Sequence, residues 1–138
     1  MQHVSLKTSQ RRGFTLVELA IVVLVIGILA AVAAPKMVST ASTARSNGTK
    51  QSLAVIRDAL EMYKSQNGSY PTAANIATAL QPMLSGPFPV AQVGTNQNSA
   101  VAASTQSPIV AAETGAYGWA YNQTTGEFRV NDLSSIGW

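Results

Sequence analysis

The polarity pattern divides the chain into unequal stretches. From Phe14 to Ala34 there is one charged side chain, Glu18, and every position from Leu19 to Ala34 is apolar or glycine. As a helix at 1.5 Å per residue this run extends about 32 Å, roughly one hydrocarbon core. The pattern then changes period. Leu53, Ile56, Leu60 and Tyr63 recur at steps of three and four, one stripe of an amphipathic helix. Ser, Thr and Ala dominate from Val38 to Thr49, so the connecting stretch is a polar helical neck, with Ser46-Asn47-Gly48-Thr49 as its breaking point. On the surface of the amphipathic stretch Arg57 and Glu61, and Glu61 and Lys64, are spaced to pair. Asn67-Gly68 is a stop signal.

Beyond the stop, Gly68-Ser69-Tyr70-Pro71-Thr72 reads as a turn, with Thr72 capping a short helix through Ala73 to Leu80. Residues 85–108 carry neither helical stripe nor strong alternation. They read as an exposed loop with a short strand at Phe88 to Val93. The final third alternates again. Tyr117 to Asn122 and Glu127 to Asn131 flank the turn-forming run Asn122-Gln123-Thr124-Thr125-Gly126. This predicts a hairpin whose Trp119, Tyr121, Phe128 and Val130 share a face and pack on Ile56, Leu60 and Tyr63. The expected fold is α+β: a long N-terminal helix packed on a small antiparallel β-sheet. The expected divisions are 1–13, a short basic leader; 14–34, a membrane helix to which a family resemblance adds an assembly role; 35–66, its amphipathic continuation; and 67–138, a small globular head.

Charge changes the picture once the leader is considered. Lys7, Arg11 and Arg12 precede Gly13, and removing these three of nine basic residues leaves six against six acids. The net charge of +3 therefore belongs to the leader and gives no basis for nucleic-acid binding. The single histidine, His3, lies there too, and the chain has no cysteine. Nucleophile–base pairs built on Cys or His and nearly all zinc chemistry are thereby excluded from the remainder. Glu61, Glu113, Glu127 and Asp132 are scattered, so no enzyme is expected. Asn131, Asp132, Ser134 and Ser135 offer hard oxygens, but one carboxylate is few for calcium, and no cofactor is expected.

Glu18 is unfavourable inside an apolar helix and calls for a positive partner on another chain. Basic residues before the span orient its N-terminus to the cytoplasm. The run Gly13, Phe14-Thr15-Leu16-Val17-Glu18-Leu19, followed by an apolar helix and Pro35, resembles the signal of type IV pilins and type II secretion pseudopilins. The Tyr70-Pro71-Thr72 turn is similar to that of major pseudopilins. The resemblance implies cleavage between Gly13 and Phe14 by prepilin peptidase, N-methylation of Phe14, and pairing of Glu18 with the Phe14 amine of a neighbour. It implies a homopolymer served by an inner-membrane assembly platform and minor pseudopilins. It places the span in the bacterial inner membrane and the head in the periplasm, or at the cell surface for a pilin. It also brings the calcium site of major pseudopilins, in the C-terminal loop, into consideration. The alternatives are a surface pilin for adhesion, motility or DNA uptake, a secretory signal cut near Ala31-Val32-Ala33, and a membrane-anchored binding module.

Overall fold

The structure is a computed structural model that describes residues 13–110 and 112–138. The leader residues 1–12, with His3, Lys7, Arg11 and Arg12, lie outside the described residues. Helix α1 covers Leu16–Asn67, and α2 covers Ile76–Leu80 with a 3-10 turn, Gln81–Met83, after it. Strands β1 (Val101–Ala103), β2 (Trp119–Asn122) and β3 (Glu127–Val130) form one sheet in that order. The chain falls into two units, Met1–Thr40 and Ala41–Trp138.

In the first unit α1 continues through Pro35. Proline removes one amide donor there. The hydroxyls of Ser39 and Thr40 both donate to the Lys36 carbonyl at 3.0 and 2.9 Å, just past it.

In the second unit the core joins one face of α1 to the sheet. Leu53, Ile56, Ala59 and Leu60 pack with Ile76, Leu80, Trp119, Tyr121, Phe128 and Val130. Trp119 and Tyr121 lie 5.2 and 5.9 Å from Phe128, centroid to centroid, so the expected hairpin face is present. Register follows from it: Trp119 pairs with Val130 and Tyr121 with Phe128. Tyr63 sits at the edge of the cluster.

Several expectations are corrected. The sheet is mixed rather than antiparallel, because β1 pairs parallel to β2, Val101 beside Trp119 and Ala103 beside Tyr121. No strand forms at Phe88 to Val93; Pro87 and Pro89 lack donors, and the segment instead offers the Pro89 carbonyl to the Trp119 indole at 2.9 Å. Three residues inside the expected loop become β1. A parallel partner needs a long connection, so short-range pattern cannot reveal it. As the central strand, β2 is buried on both faces. Helix α2 starts at Ile76, after a turn in which the Thr72 carbonyl accepts from the Asn75 amide, so Thr72 is not a side-chain cap.

The helix does not break at Ser46-Asn47-Gly48-Thr49. Thr49 is fully buried there. Its hydroxyl donates to Arg45 O and accepts from Gln92 N–H at 2.9 and 3.0 Å. The Gln92 side chain packs beside Gly48, 3.5 Å from where a Cβ would stand, an ordinary contact distance. Small residues that weaken a helix in isolation here admit a docked loop.

Candidate assembly site

The first turn of α1 is closed by Thr15 and Glu18. The Glu18 amide donates to Thr15 Oγ1 at 3.2 Å. Both the Thr15 amide and its hydroxyl donate to Glu18 Oε2 at 2.9 Å. This reciprocal pattern is a capping box, which satisfies donors that every helix N-terminus leaves open. Sequence reasoning had missed it, although Thr-x-x-Glu before an apolar run is its signal. Glu18 thus has a local role as well as a call for a partner, since a carboxylate also suits the positive end of the helix dipole. Its Oε1 accepts no hydrogen bond among the described residues. The box lies wholly beyond Gly13 and does not use the Gly13–Phe14 bond.

Around this turn every large apolar side chain from Phe14 to Val38 is exposed, Phe14 and Leu16 at 84% each. The helix is long and apolar enough to cross a membrane, which is consistent with a single-pass anchor. Gly27 has open space around it, and a close helix approach at Gly27, Ala30, Ala31 and Ala34 is sterically allowed.

The expected ion pairs along the second half of α1 are not made. Arg57 turns to the sheet, its Nε and Nη2 donating to Phe128 O at 3.1 and 2.9 Å and Nη2 also to Trp138 O at 2.8 Å. Burial, then the charge of Arg129, pulls the Arg57 pKa below its ordinary value. Arg129 itself pairs with Glu127 at 2.9 Å and donates to Ile136 O and Trp138 O. Lys50 lies 4.5 Å over the Trp138 ring. The C-terminal stretch is therefore held by three cations from two elements, an arrangement no local pattern announces.

Glu61 and Lys64 meet Tyr70 instead. The Tyr70 hydroxyl donates to Glu61 at 2.7 Å, and the Lys64 ammonium lies over the ring at 4.4 Å. Tyr121 OH donates to Pro71 O at 2.9 Å, and Gln123 accepts from Ala73 N–H. Burial, with Tyr70 and Tyr63 beside it, raises the Tyr121 pKa, so the phenol keeps the proton it donates. The Tyr-Pro turn is thus the fastening between α1 and the hairpin.

Of the candidate hard oxygens, those of Asn131, Asp132 and Ser134 already take part in hydrogen bonds. Asn131 Oδ1 accepts from Glu113 N–H at 2.6 Å, and its Nδ2 donates to Glu113 O and Tyr117 O. Asp132 Oδ2 accepts from the Ser134 hydroxyl. Among the described residues no three acidic or other strong ligands gather. Calcium takes six to eight oxygens, several of them carboxylate, and this donor set does not fit it.

An apolar helix opened by a Thr-x-x-Glu box and followed by a small sheet unit is the make-up of a prepilin-type subunit. The family model for the prokaryotic N-terminal methylation motif matches residues 8–34. That for type II secretion system protein G matches residues 36–137. The chain belongs to the type II secretion system protein G family. The type II secretion system core protein G of Pseudomonas aeruginosa is 39% identical over 71 residues, 51% of this chain and 50% of that protein. Core protein G of Escherichia coli K12 is 35% identical over 65 residues, 47% and 45%. That of Vibrio cholerae is 32% identical over 83 residues, 60% and 57%. The chain thus spans about half the length of the curated relatives it matches. No solved structure matches it.

Proposed function

We propose that this protein is the major pseudopilin of a type II secretion system, a structural subunit that polymerises through its N-terminal helix. The observation that carries the reading is the apolar surface from Phe14 to Val38, exposed on the lone chain and interrupted by Glu18, one of whose carboxylate oxygens accepts no hydrogen bond among the described residues. Lipid covers such a surface while the subunit waits in the membrane; other copies cover it in a fibre.

The N-terminus lies in the cytoplasm and the sheet unit in the periplasm. Prepilin peptidase cuts between Gly13 and Phe14, and Phe14 is N-methylated. The new amine pairs with Glu18 of a neighbouring copy through Oε1, while Oε2 stays in the capping box. An inner-membrane platform and minor pseudopilins build the fibre. Membership of the protein G family favours this reading over a surface pilin, and pseudopilins are structural proteins rather than enzymes.

The test has two parts. Intact mass from the host membrane is expected to show a chain starting at Phe14 and one methyl heavier than its sequence. Glu18→Ala is expected to insert and be cut yet assemble poorly. Full assembly of Glu18→Ala would remove the register contact, and an uncut chain would remove the processing step.

A further inference from the structure

Residues 113–118 form a loop without strand or helix, and its backbone is taken up by asparagine side chains. Asn131 is buried and uses both ends of its amide: Oδ1 on Glu113 N–H, Nδ2 on Glu113 O and Tyr117 O at 3.0 and 3.1 Å. Asn98 does the same from a different loop, Oδ1 accepting from Ala100 N–H and Gly118 N–H at 2.9 Å each, Nδ2 donating to Ala116 O at 3.0 Å. Asn96 Nδ2 donates to Gly115 O at 3.0 Å. Four carbonyls of one short loop therefore point at amide hydrogens. The approach is close: a Cβ on Gly118 would stand 2.2 Å from Asn98 O, so only glycine fits between the loops.

A divalent cation closes a loop by collecting carbonyl and carboxylate oxygens. Here an amide does both jobs that such a site divides. It offers two donors to carbonyls and one acceptor to N–H groups, whereas a carboxylate only accepts and a cation only attracts oxygen. We infer that the loop cluster is closed by an amide clasp of Asn98 and Asn131 in place of the calcium that the family resemblance brings into consideration, and that the folded unit is indifferent to calcium. A cation entering the cluster would have to displace the Nδ2 hydrogens from the carbonyls of Glu113, Ala116 and Tyr117. The loop's own carboxylate, Glu113, accepts from Gln106 Nε2 at 3.1 Å, and the neighbouring Asp132 accepts from the Ser134 hydroxyl and packs against Gly94. The inference stands independently of fibre assembly.

The experiment is thermal melting of the full chain in detergent, with calcium or with a chelator, for the wild type, Asn131→Asp and Asn98→Asp. The wild type is expected to melt at one temperature in both media. Asn131→Asp is expected to melt several degrees lower in chelator, because its carboxylate faces the Glu113 and Tyr117 carbonyls without a hydrogen to give them. Asn98→Asp, only partly buried, shows the same direction and serves if Asn131→Asp does not fold. A wild type that loses stability in chelator and regains it with calcium would overturn the inference. So would two variants that both melt like the wild type.

Discussion

Gly126→Ala tests how the Tyr-Pro turn is fastened to the hairpin. Gly126 has φ +78°, and a Cβ there would stand 2.1 Å from Tyr70 Cζ and 2.5 Å from both Cε atoms. Two effects add. Holding alanine in the left-handed region costs about 1–2 kcal/mol. Moving the ring away breaks the Tyr70–Glu61 hydrogen bond at 2.7 Å and the Lys64 contact, about 1–2 kcal/mol more for groups this exposed. The sum is about 3 kcal/mol, and for a unit the size of Ala41–Trp138 that lowers Tm by roughly 12–24 °C. The assay is a double-mutant cycle on the full chain in detergent. In a Tyr70→Ala background the glycine substitution is expected to lose only the backbone part, about 1–2 kcal/mol. Equal losses in both backgrounds would refute the steric argument and reduce Gly126 to a simple turn glycine.

Two further substitutions probe contacts that only the tertiary structure made. Thr49→Val keeps the shape but removes the acceptor for Gln92 N–H, and melting is expected to report a loss of about 1–3 kcal/mol from an unpaired amide. Arg57→Lys keeps the charge but cannot place two donors on Phe128 O while reaching Trp138 O, and denaturant unfolding is expected to show about 1–2 kcal/mol lost. An unchanged midpoint in either variant would count against the bond in question.

Periodicity and local chemistry alone determined the parts of this protein that depend on neighbours in the chain. The apolar run from Leu19 to Ala34 dictated a helix long and apolar enough to cross a membrane, since a helix satisfies its backbone within its own segment. The stripe at Leu53, Ile56 and Leu60 and the alternation around Gly126 dictated which faces meet, because burial follows from spacing. Even the capping box was legible at Thr15 and Glu18. Tertiary structure decided what the pairing and polar groups do. Arg57 and Glu61 stand one turn apart, but a carbonyl on β3 and the hydroxyl of Tyr70 outcompete the exposed ion pair, which is worth only tenths of a kcal/mol. Val101–Ala103 is a strand through its parallel pairing with β2, a partner distant in sequence. Asn98 and Asn131 meet the same loop from 33 residues apart in sequence, by the numbering. Hydrophobic burial is roughly additive along the chain and is readable from it. A hydrogen bond depends on where its partner ends up, and that is known only once the fold has closed.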